Sequence, residues 1–355
     1  MALLTLNTPT PQTHHLKPKL WRPKRVLFTA DALEQPFGQQ MLARMRRQNL
    51  DVTELSGNRL PPLKGKDDRD TYRLAKGTLA VVNAPPSMLK LQPIPPSADW
   101  QFHLAKGCPA HCQYCYLAGS LSGPPITRVY ANLPEVLSTL ESYTQPNKLT
   151  TFEVSCYTDP LALEHLTGSL SECVRYFGTR ENMQLRWVSK FDAVEPLLGL
   201  EHHGNTRARV SVNAEGVSGH LESGTAPVDA RLAGLRKLAE AGYPVGVVIA
   251  PIMALENWRE QYGALMDTLE QTLDLPCDLT FELISHRFTP GSKEVLNGWY
   301  PNSSLEMDET KRSVKRNKFG GQKYVYPKDV MSDLRAFFEA ELALRFPRAR
   351  ILYWT

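Results

Sequence analysis

Between residues 100 and 285 the sequence alternates short apolar, β-branched runs with longer segments whose apolar residues recur at helical spacing. This alternation is typical of parallel β/α units joined by right-handed crossovers. The predicted strands are 101–105, 150–155, 185–189, 208–212, 245–250 and 279–284. The predicted helices are 134–143, 163–177, 193–200, 229–241 and 257–273. About six such units predict a partial parallel (β/α)6 barrel, although a doubly wound open sheet has the same pattern. In either fold, ligands bind at the carboxyl ends of the strands.

The chain has 355 residues, more than a single domain of roughly 100–200 residues. Apolar runs at 26–28 and 78–82, with a helical pattern at 33–48 between them, predict a second, smaller α/β unit. A proline-rich stretch at 83–96 looks like a connector. We therefore expect a disordered leader (1–24), a small N-terminal α/β domain (25–95) and a barrel domain (96–355) that ends in a β-hairpin and a C-terminal helix.

Composition excludes several classes of protein. Hydrophobic residues make up 42% of the chain and charged residues 22%, as in globular proteins. The net charge of +4 identifies no partner by itself. The longest apolar stretch, 245–255, contains Pro251 and is too short for a membrane span, and the first residues do not form a secretory signal. Six cysteines are too few for a disulfide scaffold, so we expect a cytoplasmic protein.

Three cysteines, Cys108, Cys112 and Cys115, lie in one short segment after the first predicted barrel strand. Thiolates at this spacing can converge on one inorganic centre, and soft sulfur ligands favour zinc or an iron–sulfur cluster. A structural zinc site needs a fourth protein ligand, which His103 or His111 could supply. Three cysteines alone favour a [4Fe-4S] cluster with one open iron, where a substrate or cofactor can bind.

A basic segment at 311–328 precedes the last predicted helix, 329–345. Within it, residues 316–324 predict a β-hairpin whose glycines form the turn. Such a hairpin can wedge into a DNA duplex while its cations contact phosphates. The candidate DNA-binding residues are Arg316, Lys318, Phe319, Lys323 and Tyr324.

The three-cysteine spacing, with Tyr114 before the last cysteine, resembles the signature of the radical S-adenosylmethionine superfamily. More extensively, the chain from Ala30 to Thr355 resembles the spore photoproduct lyase family. The segments that carry this resemblance are 33–39, 107–117, 152–156, 187–191, 210–214, 241–244, 250–252, 281–289 and 323–328. The resemblance implies a DNA repair lyase that reverses 5-thyminyl-5,6-dihydrothymine in UV-damaged DNA to two thymines through a 5′-deoxyadenosyl radical.

The resemblance also implies roles for individual residues. Cys108, Cys112 and Cys115 would hold the [4Fe-4S] cluster. Cys156 would donate hydrogen to the thymine radical that remains after the dimer bond breaks, and Tyr114 and Tyr116 would return hydrogen towards the cofactor. The implied S-adenosyl-L-methionine contacts are Thr158, Lys190, Ser211, Asn213 and Ala250.

The implied partners are UV-damaged DNA and an electron donor such as flavodoxin or ferredoxin, and we expect a monomer that does not associate with a membrane. The sequence departs from the family at Gly77, where relatives carry a hydroxyl residue, and at the turn of the hairpin. Two alternatives stay open, and these departures support only the first of them. One is a radical S-adenosylmethionine enzyme that acts on another pyrimidine lesion or nucleic acid, and the other is a zinc-stabilised DNA-binding module.

Overall fold

Two parallel sheets organise the chain in the computed structural model, which describes residues 18–121, 123–273, 278–316 and 321–355. The strands within these ranges are β1 (Arg25–Phe28), β2 (Val52–Glu54), β3 (Thr78–Val82), β4 (Gln92–Ile94), β5 (Ala98–Gln101), β6 (Ala105–Lys106), β7 (His111–Cys112), β8 (Thr127–Tyr130), β9 (Thr150–Glu153), β10 (Met183–Ser189), β11 (Thr206–Val212), β12 (Glu222–Ser223), β13 (Val245–Ile252), β14 (Leu279–Ser285), β15 (Ser313–Arg316), β16 (Gln322–Val325) and β17 (Arg350–Trp354).

The larger sheet is the wall of a partial barrel. Its order is β17-β14-β13-β11-β10-β9-β5-β4, and every neighbouring pair is parallel except β4 with β5. The parallel strands follow one another in space as they do in sequence, whereas a doubly wound sheet reverses its order at a switch point. Since β4 and β17 are its two edges, the barrel is open, and the predicted partial barrel is confirmed. β17 is the parallel strand that the sequence analysis missed.

The smaller sheet has the order β2-β1-β3-β8-β6 and is built from strands in the amino-terminal part of the sequence. Its strands are parallel except β6, which is antiparallel to β8. Its strands β1 and β3 agree with the predicted apolar runs. The sheet also takes β6 and β8 from beyond residue 96, so its strands come from both sides of the proline-rich connector. The division of the chain at residue 95 therefore stays a prediction. Residues 1–17 of the expected leader lie outside the described residues.

Helices pack on both sheets: those at 169–178 and 228–240 contact strands of the barrel wall, and those at 30–33, 36–47 and 68–76 contact the smaller sheet. In the described part of the chain they are α1 (Ala30–Leu33), α2 (Pro36–Arg47), α3 (Asp68–Lys76), α4 (Leu133–Ser138), α5 (Leu161–Thr167), α6 (Ser169–Gly178), α7 (Glu215–Leu221), α8 (Val228–Glu240), α9 (Trp258–Thr272), α10 (Pro290–Trp299) and α11 (Lys328–Arg345). Short 3-10 turns cover Pro86–Leu89, Tyr116–Gly119, Leu140–Tyr143, Glu195–Leu197 and Glu309–Lys311. Within the described ranges, no helix is long and apolar enough to span a membrane.

Several predicted elements differ from the structure, among them the helix predicted at 134–143, which ends at Ser138 and is followed by the 3-10 turn at Leu140–Tyr143. The helix predicted at 163–177 is two helices, because Gly168 adopts a left-handed conformation (φ +69°) between α5 and α6. The helix predicted at 193–200 is reduced to one 3-10 turn at Glu195–Leu197, with Pro196 in its first turn. The strand predicted at 101–105 ends at Gln101, and Ala105 begins a strand of the other sheet.

Candidate active site

A short loop after β6 carries the three clustered cysteines. Gly107 opens the loop with φ +95°, and a Cβ atom there would lie 2.6 Å from the carbonyl oxygen of Ile126, so glycine is required. Cys112 lies in β7, which pairs with β12, and Cys115 precedes the turn that begins at Tyr116. Cys108, Cys112 and Cys115 are free cysteines and are buried or half-buried. The loop therefore holds three unbridged thiols below the protein surface.

The electrostatics of this loop disfavour free thiolates and are compatible with a bound metal centre. Burial raises the pKa of the Cys108 thiol to about 12; the neighbouring Cys115 adds to this rise, whereas Lys76 opposes it. Burial also raises the pKa of the Cys112 thiol, and Cys115 and Cys108 both add to this rise. The three sulfurs therefore lie close to one another. Three buried thiolates need a compensating positive charge, and the irons of a cluster bound by cysteine thiolates would supply it.

The zinc alternative receives no support from the two histidines. His111 Nδ1 faces the hydroxyl of Tyr72 at 3.0 Å, and the ring of His103 packs edge-on against Tyr157. Within the described ranges, no three His, Cys, Asp or Glu side chains are arranged as ligands of a single metal ion. A cubane cluster takes one thiolate on each of three separate irons, so its ligands need not converge on one point.

Three of the predicted cofactor residues meet at the carboxyl ends of the barrel strands. The ammonium of Lys190 donates to the hydroxyl of Ser211 at 2.8 Å and to the carbonyl oxygen of Ala250 at 3.2 Å. The Ser211 hydroxyl also donates to the Ala250 carbonyl at 3.3 Å. These residues follow or end β10, β11 and β13, which are neighbours in the sheet. Strand order thus places them together, as the sequence analysis expects.

Asn213 and Thr158 flank this group. The Asn213 amide donates to the Pro251 carbonyl at 2.7 Å and accepts from Tyr262 at 2.9 Å, which fixes its orientation. Asn213 also lines a cavity of about 670 Å³ that extends along α7, α8 and α9. Among the described residues, the buried hydroxyl of Thr158 finds no hydrogen-bond partner. An unpaired buried hydroxyl at this edge fits a ligand with hydrogen-bonding groups.

Glu222 is a central residue that the sequence analysis missed. It is 3% exposed and pairs with Lys190 at 2.9 Å and with Arg231 at 2.7 Å. It also accepts a hydrogen bond from the hydroxyl of Tyr114. Although burial alone would raise the pKa of Glu222, Lys190 and Arg231 lower it to about 2. The carboxylate therefore connects the cysteine loop, through Tyr114, to the predicted cofactor residues.

Cys156 follows β9 and is half-buried. Burial and the nearby Glu153 raise the pKa of its thiol well above the ordinary value. Tyr116 is 59% exposed. The pKa of its hydroxyl is raised, mainly by desolvation and in addition by the nearby Cys156. The structure thus places Cys156 and Tyr116 in one neighbourhood, whereas Tyr114 is tied to Glu222.

A buried network of charges lies beside Cys156 and has no counterpart in the sequence analysis. Arg209 donates to Glu282 at 2.7 and 2.9 Å and also to Glu153. Arg186 and Tyr353 both donate to the same Glu282 carboxylate. These side chains come from five strands of the barrel, so the network ties the wall together across its width. The sequence contained a signal for this network, because charged residues occur within otherwise apolar strands at 153, 186, 209 and 282.

The predicted hairpin is present as antiparallel β15 and β16, paired from Ser313 with Val325 to Arg316 with Gln322. Its strand β15 is exposed along its whole length. Tyr324 anchors the hairpin, since its ring stacks on Phe288 at 5.2 Å and its main chain exchanges two hydrogen bonds with the same residue. Lys318 and Phe319 lie outside the described residues.

The comparisons with known proteins agree over nearly the whole chain. The family model for spore photoproduct lyase matches residues 21–355. Spore photoproduct lyase from Bacillus subtilis (strain 168) is 38% identical over 338 residues, which cover 94% of this chain and 98% of that protein. The corresponding protein of Geobacillus sp. (strain Y412MC61) is 38% identical over 339 residues, with the same coverage.

Solved structures give the same result. Spore photoproduct lyase complexed with dinucleoside spore photoproduct superposes with a TM-score of 0.91 at 37% identity, covering 95% of this chain and 100% of that chain. A double variant of spore photoproduct lyase with bound AdoMet and dinucleoside spore photoproduct has a TM-score of 0.90 at 36% identity and the same coverage. The extent of these matches shows that the chain belongs to the spore photoproduct lyase family.

Proposed function

We infer that this protein is a DNA repair lyase that reverses the spore photoproduct, 5-thyminyl-5,6-dihydrothymine, to two thymines with a [4Fe-4S] cluster and S-adenosyl-L-methionine. The observation that carries this function is the position of Glu222, which accepts from Tyr114 in the cysteine loop and from Lys190 at the strand ends. A single buried carboxylate thus joins the residues for the two cofactors. The family membership of the chain supports the same conclusion.

We assign the cluster to Cys108, Cys112 and Cys115, whose three thiols share one buried neighbourhood. Once bound, the cluster and S-adenosyl-L-methionine would supply the 5′-deoxyadenosyl radical chemistry that removes a hydrogen atom from the lesion. The role of the protein is to hold these groups in place and to exclude competing reactions.

Thr158, Lys190, Ser211, Asn213 and the Ala250 carbonyl are the proposed S-adenosyl-L-methionine contacts. The hydroxyl of Thr158 is free to donate or accept within the described structure. Lys190 differs, because its three ammonium donors already face Ser211, Glu222 and Ala250. The Ala250 contact is the longest of the three, so it is the one that Lys190 would exchange for a ligand. Otherwise Lys190 acts by orienting Ser211 and Glu222.

Cys156 is the proposed hydrogen donor to the thymine radical. In this step the S–H bond breaks, a C–H bond forms on the thymine, and the unpaired electron stays on sulfur. A donor must keep its hydrogen, and the raised pKa of Cys156 keeps it a neutral thiol at physiological pH. Tyr116, whose hydroxyl interacts electrostatically with Cys156, is the proposed next hydrogen donor, and Tyr114 follows it.

The proposed DNA contacts are Arg316, Lys318, Phe319, Lys323 and Tyr324. Arg316 is exposed at the end of β15, as a phosphate contact must be. Lys323 faces Arg287 and Lys315, and burial together with these two cations lowers its pKa. Such a concentration of positive charge favours a polyanion. Because the reacting atoms of the lesion lie inside the base stack, the damaged dinucleotide must be flipped out towards the barrel.

We further propose that a small electron-transfer protein such as flavodoxin or ferredoxin reduces the cluster. We also propose that the protein works as a monomer in the cytoplasm. The cysteines of the described residues are all free, which supports a reducing compartment.

The decisive experiment is anaerobic reconstitution of the protein with iron and sulfide, followed by incubation with S-adenosyl-L-methionine, a reductant and the dinucleotide lesion. We expect release of thymidylyl-thymidine, measured by chromatography, from protein that carries the broad absorption of an iron–sulfur cluster. Turnover of a different UV product without turnover of this lesion would reassign the substrate. Colourless protein that binds zinc stoichiometrically would refute the proposed chemistry.

A further inference from the structure

Lys76 is a buried lysine beside the cysteine loop. It is the last residue of α3 and is 7% exposed. Its ammonium donates to the main-chain carbonyls of Cys108 and Ala110. The same nitrogen lies 5.8 Å from the centroid of the Tyr72 ring. Helix α3 thus brings a cation to the segment that carries the first proposed cluster ligand.

The charge of Lys76 lacks the partner that a buried lysine normally has. Lysine is rarely buried unless it is paired with an anion, because an unpaired charge is costly to remove from water. Lys190 follows this rule and pairs with Glu222 at 2.9 Å. In the ranges that the structure describes, no carboxylate forms an ion pair with Lys76. The two carbonyls accept hydrogen bonds from two of its three N–H groups but carry no net charge, so they do not neutralise it.

We propose that Lys76 is a positioning residue that fastens the cysteine loop to α3 and stabilises the reduced form of the bound cluster by its positive charge. This inference rests on the proposed function, because it requires the [4Fe-4S] cluster on Cys108, Cys112 and Cys115. Three thiolates make such a cluster anionic, and reduction adds one more negative charge. A buried cation nearby therefore stabilises the reduced state more than the oxidised state.

The two parts of this role can be separated by substitution. Lys76→Gln keeps a hydrogen-bond donor for the carbonyls and removes the charge. Lys76→Arg keeps the charge and the donors. Lys237→Gln is a matched control, because Lys237 lies on α8 and pairs with Glu195 at the surface. Each variant is reconstituted anaerobically as the full chain, and its iron content is measured first.

The informative measurement is the midpoint potential of the cluster. It is obtained from a redox titration in which electron paramagnetic resonance detects the reduced cluster. We expect Lys76→Gln to shift the midpoint to more negative values or to lose the cluster, while Lys76→Arg and Lys237→Gln remain close to wild type. If Lys76→Gln retains both the iron content and the midpoint of wild type, the inference is overturned. Equal defects in Lys76→Gln and Lys76→Arg would also overturn it, since charge would then not be the cause. If wild-type protein itself binds no cluster, the proposed function fails instead.

Discussion

The carboxylate of Asp159 accepts a hydrogen bond from the main-chain N–H of Lys190, with 2.8 Å between the two atoms. Its other oxygen accepts from the hydroxyl of Ser189 at 2.7 Å. The loop after β9 is therefore tied to the end of β10. Because Thr158 precedes Asp159 in that loop, this tie sets the spacing between two of the proposed cofactor contacts, Thr158 and Lys190.

The first prediction concerns the hydroxyl of Thr158. Thr158→Val removes a buried hydroxyl that has no partner among the described residues, so the fold should be as stable as wild type or slightly more so. If the hydroxyl binds S-adenosyl-L-methionine, its loss weakens binding about fivefold, the equivalent of one hydrogen bond of roughly 1 kcal/mol. Thr158→Ser should bind normally. Anaerobic isothermal titration of reconstituted protein measures the dissociation constants, and equal values for the Val and Ser variants would contradict the assignment.

The second prediction concerns Cys156. Cys156→Ala should still cleave S-adenosyl-L-methionine, because the proposed cluster and cofactor residues are intact. Without the thiol, the thymine radical is expected to end in an adduct or in slow abortive turnover. Chromatography of 5′-deoxyadenosine and thymidylyl-thymidine separates the two steps. Cys173→Ala, which removes a buried cysteine of α6, is the control. Clean repair at the normal rate by Cys156→Ala would disprove its role as donor.

The third prediction concerns the hairpin. Replacing Arg316 and Lys323 together with glutamine should weaken binding of lesion-containing duplex DNA. Each lost phosphate contact should reduce the slope of log affinity against log salt by about 0.9. The dinucleotide lesion, which cannot span the hairpin, should be turned over at the normal rate. Fluorescence anisotropy at several salt concentrations measures the slope.

A matched control for the hairpin removes the same charge elsewhere. Arg335 and Lys237 lie on α11 and α8 and form surface ion pairs with Glu339 and Glu195. Their double replacement with glutamine should leave the salt dependence almost unchanged. An equal loss of slope in both double variants would mean that binding reflects net charge and not the hairpin.

The fourth prediction concerns Glu282 in the buried network. Burial would raise the pKa of Glu282, but Arg209 and Arg186 lower it below the ordinary value. The carboxylate therefore stabilises the fold above the ordinary glutamate pKa of about 4.3, and this contribution is lost as the pH falls through the lower folded-state pKa. Glu282→Gln should destabilise the protein by about 3–5 kcal/mol at pH 7, because it leaves two buried cations without their shared partner.

Urea unfolding of wild type and Glu282→Gln at a series of pH values tests this expectation. The difference in unfolding free energy should be largest at neutral pH and should shrink in acid. A difference that is small at pH 7, or that does not change with pH, would show that Glu282 contributes little as a charge.

Local sequence predicted the elements whose signal lies within a few neighbouring residues. The alternating apolar runs predicted the strands of the barrel wall, and the cysteine spacing predicted the loop after β6. One error has a local cause of its own at Gly168, where the left-handed backbone of a single residue interrupts the helical pattern around it. β17 was missed because it gains its stability by pairing with β14, about seventy residues earlier in the chain.

Charge partners could not be predicted in the same way. Glu222 is more than thirty residues from Lys190 and over a hundred from Tyr114 in sequence, yet it contacts both. Lys76 meets Cys108 only because the smaller sheet packs α3 against the cysteine loop. The sequence separation of such partners follows no rule, because their contact depends on how separate helices and strands pack together.

By itself, the sequence determined the parallel β/α architecture and the three-cysteine loop, because periodicity and close spacing are properties of consecutive residues. The tertiary structure shows in addition that the barrel is open, with β4 and β17 at its edges, and that Lys190, Ser211 and Ala250 meet at one point. It also decided which buried charges are neutralised. The physical reason is that burial and electrostatic pairing depend on distances in space, which the order of residues along the chain does not state.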